Sequence, residues 1–289
     1  MSDTRLHNRE NTNAKNCYVG IIGCGWLGKA LAVNLIEQGR SVLATSGQQC
    51  NVEHLQEQGI TAQQLLLPEN SKQLNQHDVF TQQCLIIAIT PQFKKGKADY
   101  GSKVAQLVEA ATQRGVVQQI ILLSSTAVYQ GLEGGVDEST SLNLVAENSM
   151  EKTKVLQAAE QAVLNFHRKS NVLRLAGLVG PERHPGKFLL AKRALKNSTA
   201  PVNLIHQQDA VGLILSLLSP SSPQGIFNGV SDTHVTKSHY YQTAAKSLGL
   251  ELPTFGDDEA LEPNRVVNGD KAKQQLDYVF AYPDLLAWL

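Results

Sequence analysis

Short apolar runs alternate with helically spaced apolar positions along the first half of this chain. Tyr18–Ile22, Ser41–Ser46, Ile60–Leu67, Cys84–Thr90 and Gln119–Leu123 read as strands, the fourth stopped by Pro91. Between them, Leu27, Leu31 and Leu35 repeat at i+4 until Gly39, and Val52–Gly59 forms a shorter helical segment. Val104, Leu107, Val108 and Ala111 make a stripe that ends near Gly115. Strands alternating with helices predict an α/β fold with a Rossmann-type, doubly wound parallel sheet. Right-handed crossovers then place the strand ends on one edge.

The pattern continues less regularly. A helix runs from Asn148 through Ala162, and strands follow at Asn171–Ala176, Val202–His206 and Gly225–Val230. Asp209 opens or caps a helix to Leu218, Thr236 caps one through Leu248 that Gly249 ends, and Asn268 starts one through Leu276. The expected organisation is a disordered tail over 1–16, a Rossmann domain over 17–180 and a carboxyl-terminal part over 181–289. Segments near 202–230 of that last part are expected to return to the sheet.

Charge narrows the function classes. Lys plus Arg and Asp plus Glu both number 26, so no basic field favours nucleic acid. No apolar run reaches the ~18 residues of a membrane span. Met1–Asn16 is polar and lacks the apolar core of a signal peptide, which points to a cytoplasmic protein. Cys17, Cys24, Cys50 and Cys84 form no C-x-x-C pair and no metal spacing, so they read as buried or incidental thiols. Cys24 lies in a glycine loop, where it is a candidate oxidation-sensitive point.

That loop carries the clearest chemistry. Gly23-Cys24-Gly25-Trp26-Leu27-Gly28 is G-x-G-x-x-G between a strand and a helix, the context of a dinucleotide pyrophosphate site. All six residues are cofactor-site candidates, with the helix N-terminus facing phosphate charge. Thr45 and Ser46 end the second strand where NAD-preferring sites place an acid. Their hydroxyls, with no carboxylate in Thr45–Gln49, favour NADP over NAD, although no Arg follows the strand. Lys29 and Arg40 are further phosphate candidates. Ala88 and Thr90 end the Cys84 strand at the cofactor edge, before a lysine-bearing loop with Lys94, Lys95 and Lys97.

Ser124-Ser125-Thr126-Ala127-Val128-Tyr129 ends the next strand. Arg174-Leu-Ala-Gly-Leu-Val-Gly-Pro181, Ile205-His206-Gln-Gln-Asp209, Gly225-Ile-Phe-Asn-Gly-Val230 and Tyr282-Pro283 follow in order. With the glycine loop, these segments resemble the extended short-chain dehydrogenase/reductases, the NAD-dependent epimerase/dehydratase group acting on nucleotide sugars. The Gly-Cys-Gly-Trp-Leu-Gly loop is similar to that of an atypical branch. The resemblance implies a small carboxyl-terminal α/β substrate lobe and a small-molecule substrate such as a nucleotide sugar. It implies that Ser125 orients the substrate oxygen, that Lys154 binds the nicotinamide ribose, and that Tyr129 is structural. Among Arg183, His184, Lys187, Lys192 and Arg193, one or more is implied to hold a substrate diphosphate. The group's acid/base tyrosine, four residues before the lysine, is replaced here by Met150.

Three readings follow from Met150. The chain is a non-catalytic NAD(P) sensor, or Glu151, Ser149, Ser125 with water, or Tyr100 replaces the tyrosine, or the substrate brings its own proton donor. Lys152 points away from Lys154 around the helix. Family members pair through helices matching Ser102–Gly115 and Ser149–Lys169, so the chain is expected as monomer or homodimer. No metal site is expected.

Overall fold

The computed structural model describes residues 18–67, 71–91, 99–142, 150–189, 195–256 and 264–289. The tail over 1–16, Lys94, Lys95, Lys97, the helix start at Asn148 and Ser149, Lys192 and Arg193 lie outside them.

A seven-stranded parallel sheet is the centre of the fold, with strand order β10-β7-β5-β4-β1-β2-β3. Its strands are β1 (Tyr18–Ile22), β2 (Ser41–Ser46), β3 (Ala62–Gln64), β4 (Cys84–Ile87), β5 (Gln119–Ser125), β7 (Lys169–Leu175) and β10 (Gly225–Gly229). The order reverses between β1 and β4, which is the switch point of a Rossmann fold. Helices cover the sheet, so strand residues on both faces are buried. Ile21, Leu85, Ile86, Ile87, Ile120, Ile121 and Leu122 are fully sealed, which is why these strands read as continuous apolar runs.

The chain divides into two compact units, Met1–Leu123 with Val155–Val172, and Ser124–Lys154 with Leu173–Leu289. In the first, α1 (Trp26–Glu37) buries Leu27, Leu31 and Leu35. It is followed by α2 (Gln49–Glu57) and α3 (Tyr100–Arg114). Gly39 and Gly115 end their helices at φ +76. The unit also holds most of α4 (Met150–Leu164). Gly101 of α3 packs where a Cβ would lie 2.9 Å from that of Ala158, so the two helices meet closely.

Boundaries shift at several places. β3 is shorter than Ile60–Leu67, while α2 starts before Val52. β4 ends at Ile87 rather than Thr90. The Ala88 N–H still donates to the Ile22 carbonyl at 2.8 Å, and the chain then leaves the ladder ahead of Pro91.

In the second unit, β8 (Gly177–Val179) pairs in parallel with β9 (Leu204–His206), and β6 (Gly134–Val136) with β11 (Arg265–Val267). Thus β9 forms its own small sheet, and of the strands expected near 202–230 β10 joins the central one. At the Gly177↔Leu204 pair a Cβ on Gly177 would come within 2.7 Å of Leu204, so glycine permits the pairing.

Buried polar groups tie this unit together. Arg174 Nη1 donates to the Tyr129 hydroxyl at 2.8 Å, and that hydroxyl donates to Asn228 Oδ1 at 3.0 Å. The Asn228 N–H in turn donates to Glu138. Asp209, in the first turn of α5 (Gln207–Leu217), is fully buried. It accepts from the Tyr278 hydroxyl at 3.0 Å and from the N–H groups of Ala281 and Tyr282 at 2.6 and 3.0 Å. His206 caps that helix, its Nδ1 accepting from Gln208 N, and its ring stacks 3.8 Å from Tyr282. The sequence motifs around Tyr129, Arg174, His206 and Asp209 are therefore structural.

Candidate functional site

The glycine loop assigns a separate physical role to each glycine. Gly23 has φ +90, and a Cβ there would sit 2.8 Å from the Ile89 nitrogen, so no side chain fits. Its N–H and that of Cys24 both donate to the Thr45 carbonyl, at 3.2 and 2.7 Å, fastening the loop to the end of β2. Gly25 is exposed and extended, at φ −95 and ψ −153, and a Cβ on it would meet no protein atom within 4 Å. Neither strain nor packing explains a glycine there, and the space beside it is open to a ligand. A Cβ on Gly28 would touch Ile21 and Cys24 at 3.4 and 3.5 Å, which lets α1 lie against β1.

The start of α1 has no side-chain cap and no acidic residue in its first turn. The first bond into the helix runs from Lys29 N to Gly25 O at 2.8 Å. A helix start of this kind is poised for an anion. The loop fits the pyrophosphate of a dinucleotide.

The surrounding candidates are placed unevenly. Trp26 and Lys29 are half-buried, while Leu27 belongs to the core. Cys24 is buried, and burial pushes its thiol up to about 12, with Lys29 partly opposing it, which disfavours the thiolate that oxidation needs. Thr45 is 1 % exposed and its hydroxyl is sealed from solvent. The Ser46 hydroxyl accepts from Gln48 N at 3.3 Å and from Asn51 at 3.5 Å, shaping the start of α2. The Thr45 hydroxyl is thus sealed without a partner among the described residues, while Ser46 keeps its hydroxyl hydrogen to donate. Arg40 precedes β2, ~16 Å of strand away from the Thr45 end that holds the loop, and is no phosphate partner there. Ala88 is half-buried and Thr90 exposed after β4.

Tyr100 is removed as a substitute acid/base. It is 2 % exposed on α3, and burial together with nearby Glu160 pushes its phenol above the usual range. Its hydroxyl is sealed in the interior.

The second unit contains a cavity of about 310 Å³ with Ser125 in its wall. Ser125 ends β5 in an extended conformation, and its Oγ accepts from the Ala127 N–H at 3.1 Å, capping the short 3-10 helix Thr126–Tyr129. Capping uses an oxygen lone pair and leaves the hydroxyl hydrogen to donate. Lys237 and Tyr241 of α6 (Lys237–Ser247) and Arg265 of β11 line the same cavity, with further walls from 197 and 200–204. Among the described residues the lining contains two cations and no carboxylate, a composition that favours an anionic ligand.

A family model described as NADP oxidoreductase coenzyme F420-dependent matches residues 18–117, the span that carries the glycine loop. Protein YeeZ of Escherichia coli (strain K12) is 33% identical over 272 residues, which cover 93% of this chain and 97% of YeeZ. The chain belongs to the same family as YeeZ. The solved structures that share the fold include two determined with ligands. Human epimerase family protein SDR39U1 (isoform 2), determined with NADPH, gives a TM-score of 0.72 at 19% identity, covering 93% of this chain and 97% of that one. UDP-glucose 4-epimerase of Thermotoga maritima, determined with UDP-glucose, gives 0.74 at 15% identity, covering 91% and 94%.

Several residues that the resemblance singled out in this YeeZ-family chain lie apart from the cavity lining. Lys154 is exposed near the start of α4, as are Glu151 and Lys152. Arg183 and Lys187 are exposed, and His184 stacks on Trp288 at 5.4 Å; none of the three lines the cavity. The cations that do are Lys237 and Arg265, which sequence reading missed. The available signal was Lys237-x-x-x-Tyr241, an i,i+4 pair on a helix that the sequence does predict. Among the described residues no cluster of His, Cys, Asp and Glu has a metal-holding arrangement. No described helix is long and apolar enough to cross a membrane.

Proposed function

We propose that this chain binds a nicotinamide dinucleotide through the Gly23–Gly28 loop and acts as an oxidoreductase or epimerase on an anionic small metabolite. Gly25 carries the reading. It is a glycine that no protein contact requires, at an uncapped helix start, where a pyrophosphate needs close backbone approach. The backbone of Gly23, Cys24, Gly25, Trp26, Leu27 and Gly28 would hold the cofactor, with Lys29 adding positive charge and Ala88 and Thr90 bordering it. When bound, the nicotinamide supplies or accepts a hydride. Ser125 orients the substrate oxygen by donating its hydroxyl hydrogen, while Lys237 and Arg265 hold the anionic part of the substrate. Lys154 is assigned to the cofactor ribose.

A sugar nucleotide suits a cavity whose described lining has two cations and no carboxylate, and the Thermotoga maritima epimerase was determined with UDP-glucose. NADP is favoured over NAD because Thr45–Gln49 contains no carboxylate to repel a 2′-phosphate. With Thr45 sealed, Ser46 and exposed Gly47, Gln48 and Gln49 are the groups left to meet it.

Calorimetric titration of the purified chain with NADP+ and NAD+ tests the first half, with tighter NADP+ binding expected. Following nicotinamide absorbance with UDP-glucose or UDP-glucuronate tests the second. Met150 favours one competing reading, a non-catalytic dinucleotide sensor, because a thioether cannot exchange a proton. Cofactor binding with neither an absorbance change nor a new sugar-nucleotide product would favour the sensor.

A further inference from the structure

We infer that Tyr241 is the proton donor of the second-unit cavity, giving its phenolic hydrogen to the substrate oxygen that Ser125 also holds. The inference rests on the oxidoreductase reading above and adds a residue that no motif marked.

The two neighbouring tyrosines of α6 have opposite surroundings. Tyr240 is fully buried in an apolar cluster with Val179, Val202, Leu204 and Leu285, its hydroxyl sealed. Tyr241 lines the cavity beside Ser125, Lys237 and Arg265. Its ring is held edge-on against Tyr240, with centroids 5.6 Å apart, and among the described residues its hydroxyl makes no hydrogen bond. Burial raises its phenol above the ordinary value, so it carries its proton at neutral pH.

The other cavity groups are less suited to release a proton. Asn203 is engaged on both sides of its amide, donating to Arg265 O at 3.0 Å and accepting from Val267 N at 2.8 Å. Arg265 keeps its proton at any working pH, and an aliphatic hydroxyl such as Ser125 is a weaker acid than a phenol. Lys237 lies one helical turn before Tyr241 on α6, and Arg265 lines the same cavity. A reduced nicotinamide, when bound, would supply the hydride to a carbonyl carbon while the C=O π pair moves to oxygen. The Tyr241 proton forms the new O–H bond, and the phenolate regains a proton from water. One C=O becomes one CH–OH.

The test uses the full chain as wild type, Tyr241→Phe, Lys237→Met and, as a control, Tyr18→Phe, whose side chain is exposed in the first unit. O-acetylation by N-acetylimidazole is mapped by peptide mass spectrometry without cofactor, with and without UDP-glucose. Acetylation of Tyr241 that UDP-glucose suppresses is expected. Tyr241→Phe is expected to lower kcat for reduction of a UDP-4-keto-hexose by NADPH by about 100-fold, with KM within about threefold and NAD(P)+ affinity unchanged. Lys237→Met is expected to raise KM more than it lowers kcat. A Tyr241 that resists acetylation, or is acetylated equally with UDP-glucose present, overturns the inference. So does a Tyr241→Phe chain that keeps the wild-type kcat. Failure of the wild type to bind either dinucleotide would instead break the oxidoreductase reading, a separate result because acetylation is read without cofactor.

Discussion

The two units present their candidate sites by different means. In the first, recognition is built into the backbone. Gly23, Gly25 and Gly28 lie within six residues, and what matters at each is the side chain it lacks. In the second, the cavity is assembled from side chains on β5, α6 and β11, which the sequence separates widely. Backbone recognition tolerates little change in the loop and almost any change outside it. Side-chain recognition depends on the buried network that holds distant segments together. One unit is therefore expected to fail locally, and the other to fail through its frame.

The largest expected effect is local. Gly25→Asp places a carboxylate in open space at the start of α1, where no protein atom lies within 4 Å. It should abolish NAD(P)+ binding in calorimetry while the far-ultraviolet circular dichroism stays that of the wild type. Wild-type affinity in this variant would remove the loop from the site.

Asp209→Ala tests the frame. It strips three donors of their acceptor in the interior of the second unit, and the expected loss is about 3 kcal/mol by denaturant titration. A loss below about 1 kcal/mol would mean that the segment from Tyr278 to Tyr282 is held by its aromatic packing instead.

Ser125→Ala sharpens the contrast between units. It should lower turnover by about 100-fold without weakening dinucleotide binding, and cost about 1 kcal/mol through loss of the cap on Thr126–Tyr129. Weaker dinucleotide binding with unchanged turnover would reverse the roles assigned to the loop and the cavity.

The smallest effect concerns pH. Burial lowers the proton affinity of His206 from the ordinary 6.5, with Asp209 partly opposing it. The unfolded chain therefore takes up a proton first as pH falls below 6.5, and this contribution to stability is lost on the way to the lower folded value. Between pH 7.5 and 5, Tm should fall further in the wild type than in His206→Asn, which keeps a capping side chain. Parallel Tm profiles would exclude His206 as a source of acid sensitivity.

Much of the fold was legible in the residues because it is local. The runs Tyr18–Ile22 and Ser41–Ser46 became β1 and β2 with the same bounds, since strands covered on both faces must be apolar throughout. Gly39 and Gly115 stop their helices at positive φ, a backbone preference that needs no neighbour. The roles of Gly23, Gly25 and Gly28 follow from spacing between a strand and a helix, and the geometry gives each a distinct reason.

Where a hydroxyl or a charge points was not legible. Thr45 and Ser46 are spaced to meet a phosphate, yet one hydroxyl is sealed beside the loop and the other shapes α2. Tyr100 and Tyr241 are both tyrosines on helices, but packing against α4 buries the first and cavity placement leaves the second beside Ser125. The strand at Leu204–His206 was foreseen, but its pairing with β8 depends on a glycine far away in sequence, at Gly177. Periodicity and turn chemistry act over a few residues, so the sequence alone determined the Rossmann core and its glycine loop. Which side chains share a cavity depends on the meeting of segments more than a hundred residues apart, and only the tertiary structure decided that.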